Sequence, residues 1–370
     1  MATLANKKLQ ALLNSRIAEN NYRELKTINF SEYTDFASND YLGFAREVFF
    51  DNKLPKGSTG SRLISGNHAE YEKTEKLLCQ FLDSGAALIF NSGYTANLGL
   101  LSSVPQKNDL IVYDELSHAS IRDGVRLSLA KSFSFKHNNV NDLEKKLQKE
   151  GEIKYVVVES VYSMDGDISP LKEIVEACNK YKAHLIVDEA HAIGVLGKSG
   201  RGLVHELNLQ QAVFARVITF GKALGLHGAA VLTNNLIRDY LINFCRPFIY
   251  TTALPPENIN QIYNNIKKLK QSEELINSLK NRVSYFNNKV NELNMGQFFY
   301  STNAPIQVCI LGENKLTKKI SGALWQQKLF AKAILHPTVA KGKERIRICL
   351  HSFNTEKEID LLLNIIKNNV

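Results

Sequence analysis

Four reactive side chains stand at the ends of two short apolar runs in the middle of the chain. Leu185-Ile-Val187 leads into Asp188-Glu-Ala-His191, and Val217-Ile218 leads into Thr219-Phe-Gly-Lys222. Apolar runs this short suit buried strands of a parallel sheet. Ligands of open α/β sheets bind outside the carboxyl ends of the strands. A carboxylate, a histidine, a hydroxyl and a lysine therefore converge on one crevice. Lys222 is flanked by Gly221 and Gly225 in an otherwise apolar run, which sets it apart from a surface lysine. Burial depresses an amine's pKa, and Schiff-base chemistry exploits that. Pyridoxal phosphate needs a lysine to hold its aldehyde and a carboxylate to keep its pyridine nitrogen protonated. Lys222 and Asp188 are the candidates for the two roles.

The elements that must place these groups follow from hydrophobic pattern. Residues 86–90, 109–113 and 154–158 read as further short strands, and 71–82, 141–149 and 170–182 as helices. Strands alternating with helices predict an α/β fold with a mostly parallel, doubly wound central sheet. Residues 5–25 predict an amphipathic helix, with Leu9, Leu12, Leu13 and Ile17 at helical spacing. Residues 234–246 read as helical. Pro247 and the stretch Tyr250-Thr-Thr-Ala-Leu-Pro-Pro256 then break the pattern. Residues 257–294 predict one long, lysine-rich helical stretch. Strands at 305–311 and 344–350 with helices at 315–329 and 355–368 complete a smaller α+β domain. The expected division is an N-terminal helix and arm (1–45), a large α/β domain (46–246) and a small C-terminal domain (247–370).

Three more segments carry candidate chemistry. Asn91-Ser-Gly93-Tyr94-Thr-Ala-Asn97 passes from a strand into a helix, and free N–H groups at a helix start suit a phosphate. No basic residue sits in that junction, so backbone and hydroxyl donors would carry the anion. The loop Gly57-Ser-Thr-Gly60-Ser-Arg62 allows close backbone approach to a ligand, although such loops are often only turns. His118 follows the strand at 109–113, and Ser163 opens the turn Ser163-Met-Asp-Gly-Asp167. Each has a structural reading beside the functional one, since turn chemistry alone explains the second.

Bulk properties narrow the classes. At 370 residues, 44% hydrophobic and 22% charged, the chain is an ordinary globular sequence with room for two domains. The net charge of +9 reads as a solvated lysine-rich surface, or as a match for an acidic partner such as a phosphate-bearing substrate or carrier protein. Nucleic acid is not expected, because no basic run is interleaved with aromatics. No apolar run is long enough for a bilayer, and the N-terminal residues lack a signal peptide's apolar core. Five scattered cysteines show no metal-ligand spacing. A cytoplasmic protein without a structural metal is the resulting expectation. Asp188-Glu-Ala-His191 also spells a helicase metal box, and Gly197-Lys-Ser199 resembles the end of a phosphate loop. That loop would need glycine where Ala192 stands, and it would precede the box rather than follow it.

A wider set of segments is more specific. Ser38-Asn-Asp-Tyr-Leu-Gly43, Ser92-Gly-Tyr-Thr-Ala-Asn97, Leu116-Ser-His-Ala-Ser120, Ser163-Met-Asp-Gly-Asp167, Asp188-Glu-Ala-His191, Gly200-Arg-Gly202, Thr219-Phe-Gly-Lys222, Tyr250-Thr-Thr252 and Pro337-Thr338 span nearly the whole chain. In these the chain resembles the α-oxoamine synthases, a branch of the fold-type I pyridoxal-phosphate-dependent transferases. Within that branch it most resembles the enzymes of biotin synthesis. The resemblance implies that Lys222 holds the cofactor and moves protons at the substrate's α-carbon. It implies that Asp188 pairs with the pyridinium nitrogen, His191 touches the phenolic oxygen, His118 stacks on the ring and Ser163 lies beside it. Gly93 and Tyr94 would hold phosphate, helped by Thr219 and by Thr251 or Thr252 of a second subunit. Arg23, Asn39, His336 and Thr338 would face substrate. The implied reaction condenses L-alanine with a pimeloyl thioester, on coenzyme A or acyl carrier protein, with loss of carbon dioxide. The implied assembly is a homodimer with shared active sites, into which the Gly57–Arg62 loop also reaches.

One departure stands out. Where the family has an arginine that grips the amino acid's carboxylate, this chain has Leu335, followed by His336-Pro-Thr338. Leucine offers no donor. His336, or Arg345 or Arg347 in the alternating run Arg345-Ile-Arg-Ile-Cys349, could substitute, although the two arginines could equally be structural. Condensation of glycine with acetyl-CoA, an aminotransferase- or aldolase-like activity on the same fold, and a catalytically impaired binding subunit are the competing readings.

Overall fold

The structure, a computed structural model, describes residues 3–25, 27–47 and 53–370. Two compact units form, a larger one of Asn39–Ser163 and Asp167–Leu279 and a smaller one of Met1–Ser38, Met164–Gly166 and Lys280–Val370. The chain therefore does not divide at 246: residues 247–279 pack with the larger unit.

The chain begins in the smaller unit with α1 (Leu4–Ala18) and the two-residue β1 (Thr34–Asp35). Thr3 caps α1, its hydroxyl accepting the Asn6 N–H at 3.3 Å. The helix stops short of the expected residue 25. Asn20 adopts a left-handed φ of 56°, which asparagine tolerates and a continuing helix does not. None of its residues is buried, so Leu9, Leu12, Leu13 and Ile17 form an exposed apolar face.

The larger unit contains, in chain order, α2 (Ala69–Leu82), β2 (Ala86–Phe90), α3 (Gly93–Ser103), β3 (Leu110–Asp114), α4 (Ala119–Leu127), β4 (Lys131–Phe135), α5 (Val140–Leu147), β5 (Lys154–Glu159), α6 (Leu171–Lys180), β6 (Ala183–Asp188), α7 (Leu203–Glu206), β7 (Val213–Thr219), β8 (Ala229–Thr233), α8 (Asn235–Phe244), α9 (Arg246–Ile249) and α10 (Pro256–Leu269). Its sheet has the order β2-β8-β7-β6-β5-β3-β4. Strands β4, β3, β5, β6 and β7 run parallel, and β8 is antiparallel between β7 and β2. Apolar side chains on the sheet, among them Leu88, Ile111, Val157, Ile186 and Val231, pack against Leu100, Leu101 and Ile121 of the covering helices. Removing that area from water is the main favourable term holding the layers together. The register sets Glu159 opposite Asp188 across β5 and β6, so two carboxyl groups leave the sheet at the same edge.

Two further differences from expectation have a clear physical reason. Strand β4 was not predicted, because Lys131-Ser-Phe-Ser-Phe135 lies at the sheet edge and only Phe135 is buried. The expected long helix is two helices, α10 and α11 (Glu273–Glu292). Ser272 separates them, its carbonyl accepting the Ile276 N–H at 3.1 Å, and Glu273 and Glu274 follow in the first turn. A serine before two acids is a helix-start signal.

The smaller unit continues with β9 (Ile306–Ile310), α12 (Asn314–Gln326), β10 (Leu329–Phe330), β11 (Lys332–Ile334), β12 (Arg345–Cys349) and α13 (Glu356–Lys367). Its antiparallel sheet has the order β11-β12-β9, and β10 pairs in parallel with β1. Ile346 and Ile348 of β12 meet Ile320 and Leu324 of α12 and Ile359, Leu362, Leu363 and Ile366 of α13. The result is a small α+β unit, which takes in Met1–Ser38 and Met164–Gly166 beside Lys280–Val370.

Candidate active site

Lys222 opens a short 3-10 turn directly after β7. Its φ is 55°, in the left-handed region where a side chain is strained. Such strain clusters at functional sites. Gly225 closes the turn at φ 66°, and a Cβ there would strike the backbone of Ala45. Glycine at 225 is thus required because the backbone there has no room for a side chain.

Asp188 ends β6 and is 7% exposed. One carboxylate oxygen accepts the Ala190 N–H at 2.8 Å, and the other accepts Asn97 Nδ2 at 2.6 Å. Across the sheet, Glu159 Oε1 accepts the backbone N–H of His118 at 2.6 Å. Burial, reinforced by the charge of Asp188, pushes the Glu159 carboxyl up to about 8. The His118 side chain caps α4, with Nδ1 2.8 Å from Ser120 Oγ. Burial holds its pKa below the ordinary histidine value.

The start of α3 forms the other end of the site. Ser92 and Thr95 cap each other reciprocally. The N–H groups of Gly93 and Tyr94 have no intrahelical acceptor at this helix end. A Cβ on Gly93 would lie 2.6 Å from Thr219 Cγ2, so only glycine lets β7 come this close to the helix. Thr219 Oγ1 is buried and has no hydrogen-bond partner among the described residues. A buried unpaired hydroxyl beside a helix N-terminus fits a phosphate, and a strained lysine and a buried carboxylate fit the aldehyde and ring nitrogen of pyridoxal phosphate.

Around this centre, His191 Nδ1 lies 2.7 Å from the Tyr41 hydroxyl, which donates to Asn39 Oδ1 at 3.2 Å. Ser163 is half-buried in the turn beyond the Val161–Ile168 bridge. The ring of Tyr94 stands edge-on to His118 at 6.3 Å, and its hydroxyl donates to Asp123. Thr252 offers its carbonyl to Asn91 Nδ2 at 2.7 Å. The neighbouring Ala253 N–H bonds Gly60 at 3.0 Å, and Ser58 bonds Leu254 at 3.1 Å. The two segments expected to reach a second subunit are therefore tied to each other.

Within the smaller unit, Arg23 Nη2 donates to Thr338 Oγ1 at 3.0 Å, and the Thr338 N–H bonds the Leu335 carbonyl at 2.9 Å. Two of the expected substrate residues thus meet at the turn that carries Leu335. His336 Nδ1 is buried there without a partner among the described residues. Arg345 is already engaged: it pairs with Asp165 and donates to the carbonyls of Met164 at 3.1 Å and Lys343 at 2.8 Å. Arg347 is buried and reaches Cys349 Sγ at 2.9 Å. Of the two readings open for Arg345, the structural one holds.

The sequence profile described as aminotransferase class I and II matches residues 31–366. The chain belongs to that family. Its relatives include the 8-amino-7-oxononanoate synthase of Bacillus pumilus, 38% identical with 92% of this chain and 89% of the relative covered. Among solved structures, a serine palmitoyltransferase from S. paucimobilis with a bound PLP–myriocin aldimine superposes with a TM-score of 0.88 at 26% identity, over 100% of this chain and 98% of that one. An 8-amino-7-oxononanoate synthase from Francisella tularensis superposes at 0.79 with 30% identity, over 91% of this chain and 98% of that one. The fold is that of the fold-type I pyridoxal-phosphate transferases, as the resemblance implied.

In this aminotransferase-family site, sequence reasoning missed Tyr41, Asn97, Ser120 and Glu159. Tyr41, Asn97 and Ser120 lie in motif segments and Glu159 follows an expected strand, but none had a role. Asn97 is one helical turn beyond Gly93, and Glu159 ends a strand; those positions were the available signals.

Proposed function

We propose that the chain is a pyridoxal-phosphate-dependent C-acyltransferase that condenses L-alanine with a pimeloyl thioester, giving 8-amino-7-oxononanoate, carbon dioxide and the free thiol for biotin synthesis. The observation that carries this reading is 36–38% identity, over nine-tenths or more of the chain, to Bacillus proteins of that name. When bound, pyridoxal phosphate supplies an electron sink for the substrate's α-carbon. The chain's own residues do the rest. Lys222 would hold the cofactor's aldehyde through its amine, and the same amine would take and return the proton at the substrate's α-carbon. Asp188 keeps the pyridine nitrogen protonated. Thr219 and the N–H groups of Gly93 and Tyr94 hold the phosphate, and His118 covers the ring. His191, Ser163 and Asn39 line the ring and substrate, and Arg23 and Thr338 bind substrate. As the new carbon–carbon bond forms, the thioester's carbon–sulfur bond breaks and the thiol leaves; the carboxylate then leaves as carbon dioxide, and a proton from Lys222 would take its place on the α-carbon.

The working form is a homodimer in which Thr251, Thr252 and the Gly57–Arg62 loop serve the second subunit's site. Exposed Leu63, Ile64, Phe244 and Tyr250 on the larger unit support a covered face there. Among the described residues no helix is long and apolar enough to cross a membrane. None of the five cysteines, all among the described residues, is joined in a disulfide, which favours the reducing cytoplasm.

The serine palmitoyltransferase likeness favours a second reading, serine with a longer acyl thioester. A shared fold hosts several chemistries, and its 26% identity is lower than the 38% to the synthase relative. Purified protein with pyridoxal phosphate should release thiol from pimeloyl-CoA with alanine, and mass spectrometry should find the amino-oxononanoate. Faster turnover with serine and palmitoyl-CoA would replace the first reading by the second.

A further inference from the structure

Asp188, Asn97, Ser120 and His118 form one hydrogen-bonded chain in which every proton can be placed. Asn97 Nδ2 has two protons and no acceptor capacity. It donates one to Asp188 Oδ2 at 2.6 Å and one to Ser120 Oγ at 3.1 Å. Ser120 Oγ lies 2.8 Å from His118 Nδ1. The backbone N–H of Ser120 points at the same nitrogen from 3.2 Å. The backbone N–H cannot accept, so it fixes Nδ1 as an acceptor; the hydroxyl then donates to the same nitrogen, and a neutral imidazole keeps its proton on Nε2. Asn97 is 2% exposed and Ser120 is fully buried, so water does not compete for these bonds. Glu159 fixes the start of the same turn through the His118 N–H.

We infer that Asn97 and Ser120 are positioning residues that transmit the orientation of Asp188 to His118 and hold His118 as its neutral Nε2–H tautomer. The inference rests on the proposed cofactor site but concerns the protein without cofactor as well. A neutral ring can lie beside a protonated pyridine without charge repulsion, and its Nε2–H is left as a donor on the side away from the chain. An imidazolium in the same place would repel the ring nitrogen that Asp188 keeps charged. The carboxylate and the histidine are then set by one network.

The test is nitrogen-15 NMR of the imidazole rings, assigned with a His118→Gln variant, in apo protein and after loading with pyridoxal phosphate. Wild-type His118 should show a bare Nδ1 and a protonated Nε2 at neutral pH in both forms. Asn97→Leu keeps shape but removes both donors, and Ser120→Ala removes the hydroxyl. Each should raise the Nδ1–H population, and the double variant most. Circular dichroism checks that each variant folds, and Asn97→Gln, which keeps the amide, should restore part of the wild-type pattern in folded protein. A wild-type His118 protonated on Nδ1 would overturn the inference. So would a folded double variant with unchanged tautomers, since the backbone N–H alone would then set the ring. Failure to bind pyridoxal phosphate, by contrast, would sink the cofactor reading while leaving the apo result standing.

Discussion

Thr219→Val separates what the protein needs to fold from what it needs to bind. Valine keeps the Cγ2 that packs near Gly93 and replaces only the hydroxyl. In the protein alone that hydroxyl is buried without a partner among the described residues, and such a group costs about 1–3 kcal/mol of desolvation. The apo variant should therefore be at least as stable as wild type, by up to that amount. In the loaded protein the hydroxyl would donate to a phosphate oxygen, and a hydrogen bond to a charged group contributes about 1.5–3 kcal/mol. Affinity for pyridoxal phosphate should fall by roughly 10- to 100-fold. The assays are urea unfolding of apo protein and absorbance or fluorescence titration with the cofactor. The two effects have opposite signs, which a general packing defect cannot produce. Unchanged cofactor affinity, or an apo protein destabilised by the substitution, would refute the placement of Thr219 at the phosphate.

Three further outcomes follow from the same structure. Asp188→Asn should retain cofactor but lose turnover by roughly 100-fold, the loss of about 3 kcal/mol from a charge-assisted bond; near-normal rates in a steady-state assay would remove Asp188 from the ring nitrogen. His137 lies 2.9 Å from Asp114 and 2.6 Å from Asp167, and although burial pulls its pKa down, these two bonds raise it to about 10. Because the folded pKa is the higher one, the stabilisation is full below the unfolded value near 6.5 and disappears as pH rises to about 10. His137→Gln should therefore be less stable than wild type at pH 6.5, with the gap closing by pH 10, and a gap that is constant or widens with pH would contradict the charged-histidine clamp. Leu335→Arg should tighten alanine binding by roughly tenfold or more in a spectral titration, whereas no change would mean that position 335 does not face the amino acid's carboxylate.

Strand ends were the most legible part of the site. Five apolar residues bracketed by Gly85 and Asn91 give β2 with the bounds read from sequence, and Asp188 and Thr219 end their strands as expected. Strand β4 escaped because its alternating serines and phenylalanines resemble a loop until β3 pairs with it. Helix α1 was legible as a helix but not in its length, which a left-handed Asn20 sets. The network around His118 was not legible. Asn97 meets Asp188 from 91 residues away and Glu159 meets His118 from 41, and such partners depend on strand order and register. Arg345 shows a case the pattern left open: its alternation with Arg347 fitted a carboxylate partner or a structural role equally, and the fold uses it to hold Asp165 and Met164.

The most direct measurement is reductive trapping. Protein incubated with pyridoxal phosphate is reduced with borohydride, digested and mapped by mass spectrometry. The pyridoxyl group should be found on Lys222, and Lys222→Ala protein should retain none after denaturation. A label on another lysine, or no label on wild-type protein saturated with cofactor, would contradict the assignment of this site.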